Sequence, residues 1–185
     1  RSARLGIVFP IPPEIPRAAL VTGGAKRIGA AIALALAQAG FDVAISHEKS
    51  DPQATLEAIR AKGRRAVALR ADLSREAETS RLVPQAAAAL GPLGVLVNNA
   101  SAFERDEWHD ATRASWDAHL EPNLRAPFVL SQAFASSLPK DAEGVVVNML
   151  DERVWSLTPH FTTYTLSKAG LWALTRTLAL ALAPR

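Results

Sequence analysis

The chain has 185 residues, the length of one domain, and its 49% hydrophobic and 21% charged composition excludes a disordered polypeptide. With no cysteine there are no disulfides or thiolate–metal sites, and four scattered histidines make a histidine-built site a poor expectation, so no metal is expected. The net charge is only +3, with acids interspersed among the bases and no basic arm, which argues against nucleic acid as a partner.

Residues 1–16, RSARLGIVFPIPPEIP, read as an extended leader. Three prolines break their apolar run, and a signal-peptide core and cleavage site are missing, so a cytoplasmic location is expected. The longest charge-free stretch, residues 82–103, holds two prolines, two glycines and two asparagines and does not read as a membrane span. Residues 17–185 then alternate. A strand is expected over 18–22, a helix over 27–39 closed by Gly40, a strand over 41–46, and an amphipathic helix over 51–62 ended by Gly63. A third strand follows over 65–70, and a helix over 74–90 with Ser74 as N-cap. A fourth strand covers 93–97. A long helical region over 112–137 is kinked at Pro122 and Pro127, then come a fifth strand over 144–150 and a final helix over 162–183. Short apolar strands, each followed by a helix, predict an α/β fold: a Rossmann-type, doubly wound parallel sheet with helices on both faces. In such sheets ligands lie beyond the carboxyl ends of the strands, so function is read there.

After the first strand comes Thr22-Gly23-Gly24-Ala25-Lys26-Arg27-Ile28-Gly29. Small residues here let a backbone approach a pyrophosphate at a helix N-terminus, although an ordinary strand–helix turn has the same look. Gly23, Lys26, Arg27, Ile28 and Gly29 are the candidate contacts, with arginine standing where a glycine often lies. After the second strand, His47, Lys49 and Ser50, with Arg27, suit a 2′-phosphate, whereas Glu48 suits a free ribose hydroxyl. Charge complementarity favours NADPH/NADP over NADH. Asp72, with Leu73, either accepts from an adenine amino group or caps the next helix beside Ser74.

After the fourth strand, Asn98 and Asn99 can tie strands together. Asn99, Ala100 and Ser101 would leave a wall against the cofactor, and Phe103 is either packed on the core or stacks on a flat ligand. Asp151 follows the fifth strand, and thirteen residues later comes Tyr164, which shares a helix face with Lys168. An ammonium beside the phenol is expected to lower the tyrosine pKa toward that of a working acid–base group. Trp155 lies on the intervening loop and is a candidate substrate contact.

Together, TGGAKRIG, NNAS, Asn123 and YTLSK resemble the short-chain dehydrogenase/reductase family over residues 17–185. The resemblance implies hydride transfer between a nicotinamide and a carbonyl or imine of a small-molecule substrate. It casts Tyr164 as proton donor, Lys168 as ligand of the nicotinamide ribose, and Asn123 as holder of a water in a proton relay. It also implies a dimer or tetramer through the two long helices. Most of the family has serine near the position of Asp151. KRIG, NNAS and Asp151 are instead similar to pteridine reductases and dihydromonapterin reductases. There the aspartate works beside the tyrosine in protonating a pterin nitrogen, and the aromatic at Phe103 sandwiches the pterin, with Ser101 and Arg27 nearby. A carboxylate accepts from ring N–H and amino groups, which pterins offer and simple ketones do not. The alternatives are a carbonyl reductase of the 3-oxoacyl-carrier-protein type and a non-catalytic nucleotide-binding protein. Family members usually continue past the last helix with further strands and a substrate loop, so the isolated 185 residues are expected to show impaired activity.

Overall fold

The computed structural model describes residues 10–185. Five strands form one parallel sheet: β1 (Ala18–Val21), β2 (Asp42–His47), β3 (Ala66–Arg70), β4 (Val95–Asn98) and β5 (Val145–Asn148), in the order β3-β2-β1-β4-β5. The helices are α1 (Arg27–Gln38), α2 (Gln53–Arg60), α3 (Glu76–Thr79), α4 (Leu82–Leu90), α5 (Arg113–Leu120), α6 (Ala126–Ser137) and α7 (Thr162–Leu182).

Side chains alternate across a strand, so a strand buried on both faces feeds two cores. On β1, Leu20 enters a cluster with Leu82, Val83, Leu96, Leu130 and Phe134, beneath α4 and α6. Its neighbours Ala19 and Val21 enter the opposite cluster with Ala33, Ala37, Ile45, Leu56 and Ile59, beneath α1 and α2. Each fully buried leucine or isoleucine contributes about 1.5–3 kcal/mol. Asp42, at the start of β2, closes that end of the sheet. Its carboxylate takes the Arg65 backbone N–H at 2.9 Å and Arg65 Nε at 2.7 Å, and pairs with Arg64 at 2.9 Å.

Three expectations are corrected. The helix over 74–90 is broken, because Pro84 has no N–H to give the carbonyl of Ser80. The chain restarts as α4, which places Pro84 in a first turn where no such bond is required. Ser74 is not the cap; Arg75 holds that position, and Ser74 donates through its N–H and its hydroxyl to Asp72 Oδ1. The leader is not extended where it is described. Ile15 N closes a turn on Pro12 O, and Ile11 and Ile15 pack against the α1–α2 core; residues 1–9 lie outside the described residues. Of the two prolines where a kink was expected, Pro122 falls in a widened turn of π geometry over Glu121–Arg125 and Pro127 in the first turn of α6. No described helix is long and apolar enough to cross a membrane.

Candidate active site

Strand order reverses between β1 and β4, so the loops leaving their carboxyl ends part and open a crevice. Thr22 knits the two loops together: its hydroxyl accepts from Asn99 N and Ala100 N, both at 3.0 Å, and its carbonyl accepts from Asn99 Nδ2 at 2.9 Å. Gly23 has φ +64° and lies against Ala100. At Gly29 a Cβ would stand 2.1 Å from the Gly23 carbonyl, so only glycine lets the first turn of α1 come this near the β1 loop. The cradle leaves Lys26, Arg27 and Ile28 exposed at its rim, with Arg27 held at φ +51°, a conformation that disfavours any residue with a Cβ.

The groups expected at the end of β2 are partly engaged with one another. Lys49 pairs with Glu48 at 2.9 Å, and His47 Nδ1 contacts Ser50 O at 3.0 Å. Asp72 Oδ1 accepts from the Ser74 N–H and hydroxyl in a local turn and does not cap the next helix, whose N-cap Arg75 has no side-chain bond; Leu73 beside it packs against the α4–α6 core.

On the other side of the crevice, β5 ends and Asp151 follows. The Tyr164 hydroxyl donates to Asp151 Oδ2 at 2.9 Å, and the Arg153 N–H donates to Oδ1 at 2.9 Å. Burial alone would lift the Asp151 carboxyl. The Arg153 N–H, the Tyr164 hydroxyl and the Arg153 charge outweigh burial and hold it below the ordinary carboxylate range. Tyr164 moves the opposite way. Burial raises its pKa, the Asp151 bond and charge raise it further, and the Ser101 hydroxyl and the Arg153 charge oppose the shift without cancelling it. The expected lowering by Lys168 is therefore overturned. The carboxylate touches the phenol, whereas Lys168 Nζ sits 5.8 Å from the ring centroid and donates to Met149 O at 2.8 Å. Burial pulls Lys168 itself down to about 8.

Asn123 is fully buried, and its amide grips the Ala102 backbone, accepting from N at 2.8 Å and donating to O at 2.9 Å. It also donates to Ser167 Oγ at 3.1 Å. It thereby fixes the loop carrying Ser101 and Phe103. Phe103 is 53% exposed, which excludes the core reading. It stacks on Phe161 (centroids 4.6 Å, 10° between planes) and meets the Tyr164 ring edge-on at 4.6 Å. Trp155 turns to Trp172, edge to face at 5.6 Å, and is 65% exposed.

Sequence reasoning missed Arg153 and Phe161. Phe161 adopts φ +60°, ψ +51° at the start of α7, and its N–H is held by Asp106 O at 2.9 Å. Buried Asp106 also accepts from Thr163 N and Oγ1, Thr163 Oγ1 lies 2.7 Å from His119 Nδ1, and His119 Nε2 accepts from Glu104 N at 2.9 Å. This network sets the entry of α7. Phe161 gave no local signal, since a left-handed residue is legible only when it is glycine or asparagine.

The family model described as short chain dehydrogenase matches residues 17–185. A 3-oxoacyl-[acyl-carrier-protein] reductase of Staphylococcus epidermidis is 30% identical over 171 residues, covering 91% of this chain and 70% of its own. Among solved structures, the FolM alternative dihydrofolate reductase 1 of Brucella canis, complexed with NADP, is 46% identical with TM-score 0.87. The match covers 91% of this chain and 69% of that one. A short chain dehydrogenase of Burkholderia cenocepacia, in complex with NADP, is 42% identical with TM-score 0.85, covering 90% and 69%.

Proposed function

The chain belongs to the short-chain dehydrogenase family, and from that premise we propose that it is an NADPH-dependent reductase of a dihydropterin-type pteridine. The single observation that carries this reading is the Tyr164 hydroxyl donating at 2.9 Å to a carboxylate, Asp151, beside the stacked rings of Phe161 and the exposed Phe103. A simple ketone needs a neutral donor at its oxygen and has no use for an anion beside it. A pterin has ring N–H and amino groups for a carboxylate and a flat face for an aromatic ring. The 46% identity to a solved alternative dihydrofolate reductase supports the same class.

Gly23 and Gly29 let the β1 loop and the first turn of α1 close on each other and on Ala100 where a Cβ would clash, which sets a helix N-terminus at the crevice, so the residues present fit a dinucleotide. In this reading Gly23, Lys26, Arg27, Ile28 and Gly29 hold its phosphates, and His47, Lys49 and Ser50 meet the 2′-phosphate. Asn99, Ala100 and Ser101 wall its nicotinamide end, and Lys168 binds the adjoining ribose. NADPH supplies the hydride when bound.

The chain supplies the proton. Tyr164 is protonated at neutral pH, and its one hydroxyl proton, which Asp151 accepts in the free site, would turn to a pterin nitrogen when substrate enters. Asp151 holds that hydroxyl until substrate enters and then accepts from the substrate edge in its place. Asn123 acts here by holding the Ser101–Phe103 loop. A cytoplasmic location and a homo-oligomer complete the proposal.

The second reading, a 3-oxoacyl-carrier-protein-type reductase, is favoured by the 30% identity to that enzyme. Steady-state NADPH oxidation by the intact protein, with dihydrobiopterin, dihydromonapterin and an acetoacetyl thioester compared, separates the two. Faster turnover of a pterin is expected. Turnover of the thioester alone refutes the pteridine reading, and nucleotide binding without any turnover refutes the enzyme.

A further inference from the structure

Between β5 and α7 a single 3-10 turn, Glu152–Val154, carries a guanidinium into the site. Arg153 grips Asp151 twice: its backbone N–H lies 2.9 Å from Oδ1, and Nη1 lies 3.4 Å from the same oxygen. The other oxygen, Oδ2, takes the Tyr164 hydroxyl. A carboxylate is rigid and planar, so fixing Oδ1 decides where Oδ2 points. The far side of the same guanidinium lies 4.9 Å from the Phe161 ring centroid and 5.5 Å from that of Phe103, within cation–π range of both stacked rings. Its Nε is buried and finds no partner among the described residues. One side chain thus spans from the carboxylate to the aromatic wall, and it holds a buried N–H in reserve.

We propose that Arg153 is the positioning residue of this site: it aims the Asp151 carboxylate at the Tyr164 hydroxyl and props the Phe103–Phe161 wall against which a flat substrate stacks. The aiming role is independent of the substrate. The wall role rests on the pteridine reading. The two roles use different properties of arginine. Aiming needs a positive charge near Oδ1. Propping needs the planar face, which lysine lacks. The ionisable groups facing Asp151 are Arg153 on its own turn and Tyr164 and Lys168 on α7. Of these, Arg153 alone stabilises the carboxylate through both a contact and a charge.

The test compares Arg153→Met and Arg153→Lys in the intact protein, reading kcat, KM, the pH profile of kcat/KM, and NADPH binding by fluorescence. Arg153→Met is expected to leave NADPH affinity within about twofold. It lowers kcat/KM for the pterin about tenfold or more and moves the acid limb to higher pH, because Asp151 loses the guanidinium charge and the Nη1 contact while keeping the backbone N–H and the Tyr164 hydroxyl. Arg153→Lys is expected to restore the limb and most of kcat but not KM. A wild-type limb and kcat/KM in Arg153→Met overturns the proposal. So does a loss in both variants that merely follows a loss of folded, NADPH-binding protein. If the wild type reduces only the thioester, the pteridine reading fails by itself. The limb shift is then still expected on that substrate and the KM effect is not, and an unmoved limb overturns the aiming role too.

Discussion

Replacing Asp151 by asparagine keeps the shape of the side chain and removes its charge. The Tyr164 hydroxyl donates to that carboxylate at 2.9 Å, a charge-assisted bond of about 1.5–3 kcal/mol. At about 1.36 kcal/mol per pKa unit, the charge holds the phenol roughly 1–2 units above where burial alone would put it. Asp151→Asn is therefore expected to lower the alkaline titration of Tyr164 by about 1–2 units while leaving it above the ordinary tyrosine value, since burial is the larger cause and stays. Tyr164 is the one tyrosine of the chain, so phenolate difference absorbance reads it directly, and circular dichroism at each pH confirms that the protein is still folded. The same loss of anchoring is expected to lower kcat for a dihydropterin by about 10–100-fold. A Tyr164 midpoint that stays put or rises in the folded variant refutes the assigned electrostatics. Unchanged pterin reduction in Asp151→Ser, beside its abolition in Tyr164→Phe, refutes the role given to Asp151.

Lys168 is buried and titrates near 8 rather than 10.5, so between those values the unfolded chain holds the extra proton and stability rises with pH. Below that window the buried charge costs up to about 3 kcal/mol, partly offset by the bond to Met149 O. Lys168→Met is expected to be inactive, yet more stable than wild type at neutral pH, with the gap closing toward pH 10.5. Thermal unfolding across pH checks this, and a less stable variant at neutral pH refutes it. Asp42 behaves oppositely. Burial lifts its carboxyl, but the Arg65 hydrogen bonds and the Arg64 and Arg65 charges more than compensate, leaving it below the ordinary carboxylate range. Asp42→Asn is expected to cost about 1.5–3 kcal/mol at neutral pH. Urea titrations of both proteins should converge as pH falls through the depressed Asp42 value; an equal gap at all pH values speaks against an electrostatic origin.

The central strands β1, β2 and β4 were legible because parallel strands buried on both faces read as apolar runs, and the edge strands β3 and β5 because they carry apolar runs although they are only partly buried; their order brought the glycine turn, NNAS and Asp151 to one edge. Tyr164 and Lys168 were legible from helical spacing. What spacing could not tell was which of two neighbours would govern Tyr164. That depends on rotamers: Asp151 turned in to touch the hydroxyl, and Lys168 turned to a carbonyl. Arg153 was invisible for a similar reason, since an arginine in a short loop looks the same whether it points into a site or into solvent. Trp155 shows the converse, a loop aromatic that packs on another tryptophan. The break at Ser80–Arg81 was within reach, because Pro84 in a helix interior forbids a continuous ladder.

The widened turn at Glu121–Arg125 sets the rotational phase between the two helices it joins. Each residue of an α-helix advances by about 100°, and a π turn absorbs one surplus residue, so α6 presents a face about 100° away from the one that a straight continuation of α5 would show. This offset lets α5 lie against α7 while α6 turns Leu130 and Phe134 into the sheet, with Asn123 directed inward between them. The segment is consequently sensitive to length more than to composition. Dropping one residue there would re-phase everything downstream by a quarter turn, so that either the grip on Ala102 or the seating of Leu130 and Phe134 would have to be given up, even with every contacting side chain still encoded.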